Sequence, residues 1–276
     1  MEKSELTVQV LITTMNLEKP ERFLENLNIQ TAFVIGNQAK EVSNESFLFR
    51  NNLGVIATRN EKGVGNNRNV TLKYSTADIC VLSDDDMRFV DNYQQIVVQM
   101  YSKIPDADVI IFNLGNMGEG RRATTRIKRV TKYNYMNYGA ARISFRRKAV
   151  SYHGISFNTN FGGGCMHSAG EDSLFLGDCL EKSLSVYVVP SSIATLLDNR
   201  ESTWFKGYTD KFLFDKGVFL AISNARLAKV YAIWLVLRHS EYRNGNRRAH
   251  DVYSRICEGI RYITKKEYNL IVLEKK

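Results

Sequence analysis

Long apolar runs are missing from this chain of 276 residues. No stretch approaches the roughly 18 consecutive apolar residues of a membrane-spanning helix. The first residues, Met1-Glu2-Lys3-Ser4-Glu5, lack the basic and then apolar layout of a secretory signal, so the expected location is the cytosol. Cysteine is sparse: Cys80, Cys165, Cys179 and Cys257 form no C-x-x-C pair. That spacing argues against a zinc site and a disulfide framework, and for reduced, packed thiols. Gly63-Val64-Gly65 is not followed by Gly-Lys-Ser/Thr, which excludes a P-loop. Internal repeats and low-complexity segments are also absent.

What remains is an ordinary globular composition, 44% hydrophobic and 24% charged. The length suits one α/β domain with an appendage, or two domains. A net charge of +9 calls for an anionic partner: nucleic acid, phospholipid or a phosphorylated substrate.

The chain is arranged around Ala77-Asp78-Ile79-Cys80-Val81-Leu82-Ser83-Asp84-Asp85-Asp86-Met87. Ile79 to Leu82 is too short for a helix and reads as a strand buried on both faces. It ends in three adjacent carboxylates, where open sheets place their ligand crevice. Such hard oxygen donors suit Mg²⁺ or Mn²⁺ bound together with substrate phosphates, although a solvated acidic turn explains them equally well.

Before this strand, Leu6 to Thr13 reads as a first strand, Pro20 to Leu27 as a helix and Thr31 to Ile35 as a second strand stopping at Gly36-Asn37, a right-handed βαβ unit. A short strand is expected around Gly54 to Ala57. Gly63 to Asn69 leads into a helix over Val70 to Tyr74. After the carboxylates come a helix over Asp91 to Tyr101 and a buried strand over Asp108 to Phe112. Arg121 to Lys148 holds ten Lys or Arg, no acid, and Tyr133, Tyr135 and Tyr138. Such a segment can grip single-stranded nucleic acid, a sugar diphosphate or an anionic membrane, or be a solvated hairpin. Glu171-Asp172 opens a short helix, where the dipole favours acids. Val186 to Val189 reads as a strand closed by Pro190, Val218 to Arg238 as one long helical stretch, and the basic C-terminal segment as helical around Val252 to Ile263.

Taken in order, these segments resemble the family 2 glycosyltransferases over roughly Val8 to Phe205. Thr13-Thr14-Met15-Asn16 stands where that family has Pro-Thr-Tyr-Asn. Gly36-Asn37 replaces its customary Asp, and Gly65 to Asn69 matches Gly-x-x-x-Arg-Asn. Ser83-Asp84-Asp85-Asp86 resembles its D-x-D region, Gly170-Glu171-Asp172 its Glu-Asp motif, and Ser202-Thr203-Trp204-Phe205 a segment after the last core strand.

The resemblance implies a GT-A fold: a mostly parallel central sheet flanked by helices over residues 1–200, with a C-terminal helical extension over 201–276 for acceptor, membrane or subunit contacts. It also implies an inverting, metal-dependent transferase. Asp172 would be the catalytic base, and Asp85 and Asp86 would hold Mn²⁺ or Mg²⁺. Thr14, Asn16, Asn37, Arg68 and Asp84 would bind a nucleotide-diphosphate sugar, with UDP as the first choice of nucleotide. The acceptor would be a glycan or lipid-linked oligosaccharide in polysaccharide biosynthesis, met in the cytoplasm or peripherally at the inner membrane face. Many GT-A enzymes add a late histidine to the metal site; none follows Pro190 in this stretch, so either Asp198 would take its place or Asp85 and the diphosphate alone would hold the ion. The competing readings are an RNA or anionic-polymer binder using residues 121–148, and a metal-dependent phosphohydrolase.

Overall fold

The structure, a computed structural model, describes residues 6–115, 123–197, 207–243 and 247–264. Ser202 to Phe205, Asp198 and the start of the basic segment lie outside these residues. In chain order the elements are β1 (Val8–Met15), α1 (Pro20–Leu27), β2 (Ala32–Gln38), β3 (Ser43–Phe49), β4 (Asn52–Arg59), α2 (Val64–Tyr74), β5 (Ile79–Asp84), β6 (Met87–Phe89) and α3 (Tyr93–Lys103). There follow β7 (Val109–Leu114), β8 (Lys128–Arg129), β9 (Ile143–Arg146), α4 (Arg147–Tyr152), α5 (Glu171–Glu181), β10 (Val186–Leu196), α6 (Asp210–Asn224), α7 (Ala228–Arg238) and α8 (Ala249–Thr264).

The described strands form one sheet in the order β3-β4-β2-β1-β5-β9-β7-β10-β6, with β8 beside β10. Strands β4, β2, β1 and β5 run parallel, as do β7 and β10, while β9 lies antiparallel between β5 and β7. Alternation along the strands divides the core into two layers. Val8, Val10 and Ile12 of β1 and Ile79 and Val81 of β5 pack in the layer that holds Leu24 of α1 and Val97 of α3. Leu11, Cys80 and Leu82 join the layer of Phe145, Phe157 and Phe175. All four cysteines are free, and burial pushes the Cys80 thiol up to about 12.

Several boundaries differ from the sequence expectation. β2 continues through Gly36-Asn37 because its pairing with β1 and β4 persists to Gln38. β3 is joined to β4 through Arg50 and Asn51, both at positive φ (45° and 64°), as tight hairpin turns require. α2 begins at Val64, so the Asn-rich lead-in is itself helical. β10 passes Pro190 with a register shift against β7, the usual accommodation of proline in a sheet. The basic segment is no solvated hairpin: its β9 lies inside the sheet, and Val130, Tyr135, Ile143 and Phe145 are buried.

The chain divides into two compact units, residues 1–165 with 171–201, and residues 166–170 with 202–276. In the second, the stretch expected to be one helix is two, α6 and α7. Thr209 caps α6 by accepting from the Phe212 N–H at 3.2 Å. A Cβ on Gly217 would lie 1.9 Å from the Ile256 carbonyl oxygen, and one on Gly259 2.0 Å from that of Phe214. Only glycines let α6 and α8 cross this closely.

Asp215 of α6 ties down the 166–170 segment. It accepts from Lys211 Nζ at 2.6 Å and from the Ser168 N–H at 3.1 Å, and lies 2.9 Å from His167 Nδ1. Burial pushes this carboxyl up, but the bonds from His167, Lys211 and Ser168 outweigh it and hold it down at about 2. Because the folded value lies below the unfolded one of 3.8, the stabilisation is complete above pH about 4 and is lost as pH falls toward 2. Asp215→Asn is therefore expected to cost about 2 kcal/mol at pH 7. Melting curves of the two proteins should converge below pH about 4; a constant gap would refute the assignment.

Candidate active site

The parallel strands bring the predicted residues to one end of the sheet. Thr13 of β1 is level with Asp84 of β5, and Thr14 is level with Asn37 of β2. Asp85 and Asp86 form the turn from β5 to β6. Thr14 Oγ1 donates to Asp85 Oδ2 at 2.9 Å, and Thr13 Oγ1 to Asp84 Oδ1 at 3.3 Å. The Leu197 N–H donates to the Asp86 carbonyl at 2.7 Å, so the end of β10 closes against the same turn.

The Asn-rich start of α2 is a set of cross-links. Asn67 Nδ2 donates to the carbonyls of Thr14 (3.0 Å) and Gly36 (2.9 Å), pinning α2 to the ends of β1 and β2. Asn69 exchanges two hydrogen bonds with the Phe157 backbone, at 2.9 and 2.8 Å. Between them Arg68 is aimed inward. Its side chain is 5% exposed, and its guanidinium lies 5.4 Å from the centre of the Phe157 ring, which stacks on Phe175.

Three carboxylates meet this guanidinium. Arg68 Nη2 donates to Asp84 Oδ1 at 3.0 Å, and Nη1 donates to Glu171 Oε1 at 3.0 Å and to Asp172 Oδ1. Asp84 ends β5, while Glu171 and Asp172 open α5, where a helix N-terminus favours negative charge. Gly162, at φ 105°, makes room for the acids: a Cβ there would lie 2.8 Å from Glu171 Cδ.

Burial works against the charge of Arg68, but Asp172, Asp84 and Glu171 outweigh it and hold the proton more tightly than usual. One cation does not balance three anions. Desolvation first, and then the charge of Asp172, push the Glu171 carboxyl up to about 7, with Arg68 opposing. Near neutrality Glu171 is therefore partly protonated, whereas Asp172 and Asp84, 22% and 37% exposed at their side chains, have access to solvent.

Of the predicted residues, Arg68, Asp84 and Asp172 come together directly, and Thr14 bonds Asp85, the next residue in the chain after Asp84. Asn37 sits at the same strand end but is 5% exposed, its amide accepting from the Leu17 N–H and donating to Thr58. Asn16 is exposed in a left-handed turn just past β1. Glu171 and Asn67 were given no role by the sequence reading. The signal for Glu171 was the buried arginine itself, which needs carboxylates around it.

Among the described residues no three His, Cys, Asp or Glu side chains converge as a group able to hold a metal ion. Adjacent carboxylates at a strand end do fit an open site, in which one or two acids bind Mg²⁺ or Mn²⁺ and substrate phosphates supply further oxygens.

No family model and no curated protein matches this chain. Among solved structures, it is similar to S. aureus TarS 1-349 in complex with UDP-GlcNAc, at 14% identity and a TM-score of 0.58, over 98% of this chain and 76% of that one. It is also similar to the Pyrobaculum calidifontis mannosyltransferase PcManGT in complex with GDP-Man and Mn²⁺, at 12% identity and a TM-score of 0.53, over 98% and 84%. The fold is GT-A. Against S. aureus TarS with a longer chain, the match covers 96% of this chain and 45% of that one, at 14% identity and a TM-score of 0.55. The Arg68 cluster lies at the carboxyl ends of the parallel strands of this GT-A sheet, where open α/β sheets bind ligands.

Proposed function

We propose that the chain is a glycosyltransferase that moves a sugar from a nucleotide diphosphate to an acceptor hydroxyl, with inversion. The observation that carries this reading is the single buried guanidinium of Arg68 joining Asp84, at the tip of β5, to Asp172, at the start of α5. It sets an acidic strand end beside a second, solvent-reachable carboxylate, as a displacement at one sugar carbon needs.

In the proposed reaction Asp172 takes the proton of the acceptor hydroxyl as that oxygen bonds to the anomeric carbon. The bond from that carbon to the diphosphate oxygen breaks, and its electron pair leaves with the nucleotide. One displacement inverts the centre. Arg68 holds Asp172 and Asp84 at fixed positions, and Thr14 orients Asp85. Mn²⁺ or Mg²⁺ held by Asp85, with Asp84 or Asp86, would offset the charge growing on the leaving diphosphate.

The neighbours' ligands, UDP-GlcNAc and GDP-Man, define the donors to try, with UDP-sugars first. A glycan or lipid-linked oligosaccharide of polysaccharide biosynthesis, met at the cytoplasmic membrane face, is the acceptor we propose. The nucleic-acid alternative has less support, because the three tyrosines of the basic segment form no stacking row. Tyr133 is exposed, Tyr135 is buried and Tyr138 lies under Arg142.

The test is thermal stabilisation by UDP-GlcNAc, UDP-glucose and GDP-mannose with and without Mn²⁺. A donor at about 100 times its Kd should raise the melting temperature by about 5 °C. Asp85→Ala should abolish the part of that rise that depends on Mn²⁺. If no nucleotide sugar shifts the transition under either condition, the proposal fails.

A further inference from the structure

The second unit carries a helix whose burial is reversed in size. α7 packs against α6 and α8 through Ala228, Ala232 and Val236, which are 0%, 0% and 7% exposed. Its larger apolar residues point the other way: Val230, Ile233, Trp234 and Leu237 are 61%, 49%, 54% and 77% exposed. At 3.6 residues per turn these four share one stripe. Monomeric soluble proteins rarely leave such a contiguous patch uncovered.

Charge identifies what covers it. Exposed Lys229 and Arg238 flank the stripe on its two sides, with exposed Arg226 at its N-terminal end, and α7 has no acidic residue. From residue 226 to 248 the sequence holds Arg226, Lys229, Arg238, Arg243, Arg247 and Arg248 against one acid, Glu241. Glu241 is already bonded to His239 at 2.6 Å. An apolar stripe containing tryptophan and edged with Lys and Arg is the layout of a helix lying in a lipid headgroup layer. A second copy of the chain would set these cations against one another. No helix among the described residues is long and apolar enough to cross a membrane.

We infer that this outward face of α7 docks on an anionic lipid bilayer. Trp234 and Leu237 enter the headgroup boundary, and Arg226, Lys229 and Arg238 meet lipid phosphates. The inference does not depend on the proposed reaction, and its test uses neither donor nor metal.

The whole chain is sedimented with vesicles of phosphatidylcholine, with or without phosphatidylglycerol, at two salt concentrations. Binding to the anionic vesicles only, weakened by salt, is expected. Trp234→Glu should reduce it by about tenfold or more, and Lys229→Gln and Arg238→Gln by about fivefold for each charge removed. These side chains are exposed, so the variants should melt like the parent protein. Absence of binding to anionic vesicles would overturn the inference, as would Trp234→Glu binding as well as the parent. So would light scattering that shows a dimer converted to monomer by Trp234→Glu, since a second copy would then be the occupant.

Discussion

Replacing Asp172 by Asn is expected to slow sugar transfer by roughly 10²- to 10⁴-fold, the usual contribution of a positioned general base, while donor affinity changes by no more than a few-fold. Asn keeps the shape of the side chain and an oxygen that can still accept from Arg68, so the link between α2 and α5 should survive. It cannot take a proton at neutral pH. The loss should therefore appear in kcat rather than in donor binding, an interaction made mainly in the transition state. Removing the Asp172 charge also removes one of the three influences that push Glu171 up, the others being burial and Asp84, so Glu171 should ionise at lower pH in the variant. Initial rates of product formation, with donor binding measured in parallel, decide the matter. Activity within about tenfold of the parent would take Asp172 out of the proton-accepting role.

The second large effect is on stability. Arg68→Met removes the cation and leaves Asp84, Glu171 and Asp172 facing one another in a partly buried space. Taking one partner from a buried ion pair typically costs about 3–5 kcal/mol. For a chain of this size that lowers the melting temperature by about 10 °C. The deficit has a definite pH dependence. Without the cation, Glu171 loses the charge that opposes its upward push and holds its proton still more tightly in the folded than in the unfolded state, so stability falls as pH rises. The gap to the parent should be wider at pH 8 than at pH 5, and Glu171→Gln in the same background should narrow it. Arg68→Lys should recover only part, because one ammonium cannot reproduce the planar fork that reaches three acids. A variant melting within about 1 °C of the parent at pH 8 would mean that the cluster is not held by this charge.

Both effects centre on residues whose separate roles were only partly readable beforehand. The acidic tip of β5 was legible because four consecutive apolar residues followed by three aspartates is a local pattern, as was the Glu-Asp pair at the start of α5. Arg68 was legible as a motif residue, but not as the hub of the cluster. Its partners Asp84 and Asp172 lie 16 and 104 residues away, and no local pattern encodes such pairings. Asn37 illustrates the opposite case. It occupies a strand end suited to a ligand, yet its amide is engaged by Leu17 and Thr58.

Sequence by itself determined β1, α1, β2, β5, α3 and β7 in the first half of the chain, without β3 and β6, and the acids at two element ends. These follow from side-chain periodicity and backbone preference, which act over a few residues. Only the tertiary structure decided that β9, from a segment dense in positive charge, enters the sheet between β5 and β7, and that β10 continues past its proline. It alone decided that α7 turns its small residues inward and its large ones out, and that one guanidinium gathers three carboxylates. Those outcomes depend on which distant surfaces exclude water together, a property of the folded chain rather than of any stretch of it.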